Sequence, residues 1–308
     1  MTSKQQSGLM VILVVLYCVF IDQFVGFGDF AAELKQIDVA TFLALMLLLV
    51  ATQWLRTLRL KSAISEHLKN HEASFIVCYR VTQIHNVINT MLPFRAGEFS
   101  MPLLLRKGFN LPFSAGVGFL FWFRLLDVLA LCALCAWIYL TLSHLWGLLV
   151  MLIFVMIFVP KFLQVFSKIF RFPPRPVAVF IGNELWAKLM VGASVGLITQ
   201  YRLWLFSVVN WGVKITTLGI FVQLMSDASL ISSMGSALGG ELSSILPIHA
   251  PAGIGTYAAG VAAAGKVIGL DFDLALRSGV LLHIVVVVSG LMSLLLSQLM
   301  YLLSSNKR

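Results

Sequence analysis

Charge is what this chain has least of. Aspartate and glutamate together number 13 and lysine and arginine 22, so 11% of the 308 residues are charged while 59% are hydrophobic. A soluble core needs no such excess of apolar surface, and the mean hydropathy of +0.94 places the chain in the polytopic membrane class. Cysteine is also sparse. Cys18, Cys78, Cys132 and Cys135 all lie in apolar stretches, which excludes a disulfide framework. Cys132-x-x-Cys135 sits mid-helix without accompanying ligands and reads as packing rather than as a redox or metal motif. No Ser-His-Asp pattern or Gly-Lys-Ser/Thr loop is present, so the polar residues suit binding and passage better than bond cleavage. The expectation is a protein that is not an enzyme and has no cofactor or metal.

The basic residues that are present set the topology. A net charge of +9 would suggest nucleic acid in a soluble protein. Here Lys and Arg cluster at Arg56, Arg59, Lys61 and Lys69, at Arg106 and Lys107, at Lys161, Lys168, Arg171 and Arg175, and at Lys307 and Arg308. The positive-inside rule makes those segments cytoplasmic, while Asp29, Glu33, Asp38, Asp227, Asp271 and Asp273 mark the other side. Spans are expected over about Leu9–Gly28, Val39–Leu58, Pro112–Leu140, Leu145–Val159, Leu203–Met225 and Leu274–Leu303. The first lacks a small-residue cleavage site and reads as an uncleaved span. Between Lys188 and Arg202 the apolar run is too short to cross, so Val177–Gln200 reads as an interfacial amphipathic helix.

Two stretches do not read as simple spans. Ala73–Leu105 is broken by Arg80, His85, Asn86, Asn89, Pro93, Arg95 and Glu98 and has basic residues at both ends. Ser229–Gly269 is rich in Gly, Ser and Ala and contains Glu241, Pro247, His249, Pro251, Gly253 and Gly255. Both are expected as re-entrant hairpins, since irregular backbone at membrane depth must be lined by protein or a watery cavity. The fold expected is therefore all-α: a polytopic integral membrane protein with about six transmembrane helices and two re-entrant hairpins. It forms a single membrane domain over residues 1–308 whose halves, approximately 1–142 and 143–308, make an inverted repeat suited to alternating access.

An ionisable side chain at mid-bilayer depth costs about 2.5 to 3.5 kcal/mol, which makes the few that are there candidate functional groups. Arg124 and Asp127 share a helix face. With Arg95 and Glu98 they form either a structural lock between hairpin and span or a seat for an anionic head group. A guanidinium offers phosphate a bidentate fork, and a helix broken at Pro93 exposes free N–H groups. Glu98 and Asp127 would orient the arginines, bind a cationic head group or carry a coupling proton. Lys214 lies mid-span and either snorkels or faces the same cavity. Glu241, His249 and Tyr257 are placed along the outward half of the pathway, whereas His85 and His283 read as packing histidines.

These motifs carry a resemblance. Asn89-x-x-x-Pro93-x-Arg95-x-Gly97-Glu98, then Arg124-x-x-Asp127, then Pro247-x-x-x-Pro251-x-Gly253-x-Gly255, resemble the transmembrane, flippase-like region of lysylphosphatidylglycerol synthases and its stand-alone relatives. The resemblance implies an inner-membrane protein, with both termini cytoplasmic, that moves a phosphate-bearing lipid between leaflets, either an aminoacylated phospholipid or a polyprenyl-phosphate-type lipid. It assigns Arg95, Gly97, Glu98, Arg124 and Asp127 to the functional set. The chain departs from the family pattern at Met101, where an Arg is usual, at Phe123 and Ala258, where a Glu is usual, and at Ala252, where a Gly is usual. The soluble aminoacyl-transfer domain of the full-length synthases is absent from this sequence. The expected partners are a lipid substrate and the bilayer, with no nucleic acid, and a homo-oligomer or a lipid or glycan synthesis enzyme as further candidates. The competing readings are an accessory scaffold for such an enzyme and a membrane-embedded lipid-modifying enzyme.

Overall fold

The computed structural model describes residues 22, 28, 37–68, 72–169, 183, 186, 190, 196–245 and 253–305, apart from the side chains of residues 93–95, 167 and 305. Among them the regular elements are all helical. They are α1 (Val39–Leu68), α2 (Phe75–Met91), a 3₁₀ segment (Pro93–Phe99), α3 (Ser100–Phe109), α4 (Phe113–Leu142), α5 (Trp146–Ile169), α6 (Leu197–Leu224), α7 (Leu230–Ile245), α8 (Thr256–Val267) and α9 (Phe272–Ser305). Five of them, α1, α4, α5, α6 and α9, are long and apolar enough to cross a membrane. They correspond to five of the six expected spans. Of the remaining span, Leu9–Gly28, and the expected interfacial helix, Val177–Gln200, all but a few isolated residues lie outside the described residues, except that Leu197–Gln200 forms the first turn of α6.

Local sequence explains where these helices begin and stop. Asp38 caps α1, its Oδ2 accepting the Thr41 N–H at 3.0 Å, and Asp271 does the same for α9 through Leu274 at 3.0 Å. Two of the acids read as markers of the outer face are thus helix caps. Asn110 ends α3 in a left-handed conformation (φ 53°) that returns its N–H to Arg106 O. The helix of the second span, expected to end at about Leu58, continues to Leu68. No breaker occurs in between, and Leu60, Ala63 and Ile64 keep the buried face going at helical spacing.

The chain divides into two compact units. One comprises residues 1–49, 90–96 and 215–289, the other residues 50–89, 97–214 and 290–308. In the first, Leu45, Met46, Leu49, Phe221, Val261 and Leu282 belong to one buried core. Its helices α7 and α8 pack at backbone distance. A methyl group at Gly260 would lie 2.6 Å from Gly239 O, and one at Gly240 would lie 2.7 Å from the Tyr257 ring. The link between them ends at Gly253 and Gly255, with φ of 74° and 73°, conformations that L side chains rarely adopt.

The helix breaks at Leu92–Pro93 as its sequence predicts, α2 giving way to the 3₁₀ segment. In the second unit the end of that segment lies so close to α2 that a Cβ on Gly97 would come within 2.6 Å of Asn89 N. Gly116 likewise lets α4 approach Pro102 of α3. The helix α5 is the least enclosed of the five candidate spans, with 11% of its most apolar stretch buried against 56% for α6. Pro160 lies inside it and has no N–H to offer Met156 O; the indole N–H of Trp204 on α6 donates to that carbonyl instead, at 2.9 Å. Cys132 and Cys135 are free and exposed on α4, and Cys78 is free and buried.

Candidate functional site

The polar centre of the second unit is Asp127, midway along α4. Arg59 of α1 grips it with both terminal nitrogens, Nη1 to Oδ1 at 2.6 Å and Nη2 to Oδ2 at 3.2 Å. Trp211 of α6 donates its Nε1–H to the same Oδ1 at 2.9 Å. Arg59 Nη1 also donates to Ser207 Oγ at 2.7 Å, and Ser207 in turn donates to Leu203 O. The guanidinium lies 4.8 Å from the centre of the Phe123 ring. Three helices thus converge on one carboxylate, and every group pointed at it is a donor. Its side chain is 7% exposed and that of Arg59 8%. An ion pair so enclosed holds only because its hydrogen bonds replace water on both partners.

A second pair lies further out. Arg124, one helical turn before Asp127, places Nε 3.0 Å from Glu98 Oε1 of the 3₁₀ segment, an ionic contact without hydrogen-bond alignment. These side chains are 29% and 25% exposed. Arg124 Nη1 is 4.0 Å from Asp127 Oδ2, so the outer pair touches the inner one. Arg56, a turn before Arg59 on α1, stands over the Trp211 ring at 5.4 Å. Together Arg56, Arg59, Arg124 and Asp127 border a cavity of about 40 Å³, which Thr82, His85 and Asn86 also line. That is room for a few waters in a polar setting. Its rim is braced: Asn86 Nδ2 donates to Gln53 Oε1 at 2.8 Å, and His85 Nδ1 lies 2.9 Å from Ser100 Oγ. Histidine 85 therefore both packs and faces the cavity.

The expected site residues divide into groups. Glu98, Arg124 and Asp127 come together here. Gly97 is the backbone contact that brings the 3₁₀ segment onto α2. Asn89 meets Gly97 and does not line the cavity, and its Oδ1 is buried without a hydrogen-bond partner. Arg95 has its backbone in the 3₁₀ segment, and its side chain lies outside the described residues. Lys214 is buried at 8% exposure, with Nζ 5.3 Å from the Trp211 ring centre, so it shares that indole with Asp127 without lining the cavity. In the first unit Tyr257 donates its hydroxyl to Glu241 Oε1 at 2.9 Å, both buried, and stacks on His283 with ring centres 5.5 Å apart. His249 lies outside the described residues. No cluster among the described residues has the acidic, His or Cys groups to hold a metal ion.

Arg56 and Arg59 are the residues that the sequence assigned elsewhere. As part of a basic run they read as a cytoplasmic flank. The signal that could have placed them is the apolar face continuing through Leu60, Ala63 and Ile64, which puts both arginines inside a helix rather than at its end.

Comparison with known proteins is consistent with the motifs. The family described as Lysylphosphatidylglycerol synthase TM region matches residues 7–293. No curated protein and no solved structure matches the chain.

Proposed function

Because the chain belongs to the lysylphosphatidylglycerol synthase transmembrane-region family, we propose that it is a lipid transporter that moves a phosphate-bearing lipid between the leaflets of the inner membrane. The lipid is an aminoacylated phospholipid or a polyprenyl-phosphate-type lipid. The observation that carries this reading is the two-tier constellation of arginines and carboxylates beside a polar cavity, set among helices apolar enough to span a bilayer. Charges at that depth are costly, and a partly exposed outer pair in contact with a buried inner one provides a route for a head group while acyl chains remain in lipid. The broken helices at Pro93 and at Gly253–Gly255 are read as two re-entrant hairpins of an inverted repeat, with both termini cytoplasmic, and the chain performs no covalent chemistry on the lipid.

The test is leaflet exchange of a labelled phospholipid in proteoliposomes. Glu98→Ala combined with Arg95→Ala is expected to abolish exchange while the protein still elutes as a folded species; exchange at the wild-type rate would remove these residues from the pathway. One observation favours a scaffold for a lipid or glycan synthesis enzyme: the Arg59–Asp127 pair is closed on both oxygens. A scaffold would give no exchange with any lipid and would co-purify with its enzyme.

A further inference from the structure

Building on the transport reading, we infer that Asp127 is an internal stand-in for the ligand's anion: a lipid phosphodiester displaces it from Arg59, and the site selects net-anionic head groups over zwitterionic or cationic ones. Three features of the second unit point there. First, the groups converging on the carboxylate are Arg59 Nη1, Arg59 Nη2 and Trp211 Nε1, all donors, and together they would serve phosphate oxygens as well as carboxylate oxygens. Arg59 also keeps a buried Nε–H with no hydrogen-bond partner, one more donor than the carboxylate uses. Phosphate has more oxygens than carboxylate to receive it.

Second, the charged lining of the cavity is mostly guanidinium: Arg56, Arg59 and Arg124 face it beside Asp127. A phosphodiester brings one negative charge to them. An aminoacylated head group brings ammonium charge toward three guanidinium groups, in a setting where water screens them little. Third, the approach is graded. Arg124 with Glu98 is a quarter or more exposed, Arg59 with Asp127 is not, and Arg124 Nη1 reaches to 4.0 Å from Asp127 Oδ2. A phosphate received by Arg124 is then within one side-chain movement of Arg59. The freed Asp127 carboxylate stays beside Arg124, so the exchange of partners leaves no buried arginine bare.

The experiment is competition against fluorescent phosphatidylglycerol bound to the purified full-length protein in detergent, using phosphatidylglycerol, lysylphosphatidylglycerol, phosphatidylcholine and free glycerol phosphate as competitors. Phosphatidylglycerol is expected to compete at concentrations about tenfold or more below either of the other lipids and below glycerol phosphate. Equal competition by the three lipids overturns the charge selection, and equal competition by glycerol phosphate makes the site one for free phosphate. Asp127→Asn keeps an acceptor for Trp211 but removes the internal anion, so it is expected to tighten phosphatidylglycerol binding about tenfold, whereas Arg59→Gln weakens it by a similar factor. Unchanged or weaker binding by Asp127→Asn overturns the stand-in role; if that variant does not fold, the ranking of lipids by the wild-type protein decides. Exchange measured in parallel separates the two readings: the binding order without exchange leaves this inference in place and removes transport. Exchange indifferent to head-group charge does the reverse.

Discussion

Arg59 shows why a charged residue in a membrane chain cannot be placed from its own identity. Arg124, Glu98 and Asp127 were legible because each interrupts a long apolar run close to a Pro or a Gly, and the structure brings them together. Arg59 stands in a basic run that topology rules explain equally well, yet it is the partner that holds Asp127. Distinguishing the two required its distant contacts on α4 and α6, which no local pattern encodes. Since both partners are enclosed, Asp127→Ala leaves a buried guanidinium without its carboxylate. We expect it to cost about 3–5 kcal/mol, seen as a lowered midpoint of thermal unfolding in detergent. Replacing both residues, Arg59→Met with Asp127→Leu, is expected to restore much of that loss while leaving exchange abolished. If the double variant unfolds as early as the single one, the pair is not acting as an isolated buried couple.

At the level of elements, sequence and structure agree at Pro93, Gly253 and Gly255, whereas Pro160 does not act as a breaker. Pro93 ends α2, and Gly253 and Gly255 take up left-handed backbone that other residues resist. α1 runs past the expected end of its span at about Leu58 because charges, unlike proline, do not stop a helix. Pro160 had the opposite fate: it is inside α5 and does not end it. The bond from Trp204 to Met156 O explains how the carbonyl that Pro160 leaves free is tolerated. Trp204→Phe should therefore destabilise the protein by about 1–3 kcal/mol through an unsatisfied carbonyl in an apolar setting. In a Pro160→Ala background, where the helix can supply its own N–H, the same substitution should cost little. A double-mutant cycle on thermal stability reads the difference, and additive effects would show that the indole and the proline are not coupled.

For the molecule as a whole, composition and hydropathy sufficed for the class. Five long apolar helices lie where the apolar runs are, and the family match spans residues 7–293. Side-chain pairing was not legible to the same degree, because it depends on which helices become neighbours. The proposed topology has a direct check. In a cysteine-free background, single cysteines at the exposed positions Ser74 and Ser229 are expected to react with an impermeant reagent from opposite sides of the membrane. Labelling from the same side would remove the inverted repeat.

The glycines between α7 and α8 bear on how any such machine could move. Where Gly239 meets Gly260, main chain lies against main chain with no layer of long side chains between them. Side-chain layers are what packed helices slide on when they shear, because rotamers can exchange as the axes shift. A seam without one has little to rearrange, so in a transporter α7 and α8 would be expected to travel as a single rigid block, with the joints of the cycle at the ends of that block rather than along it.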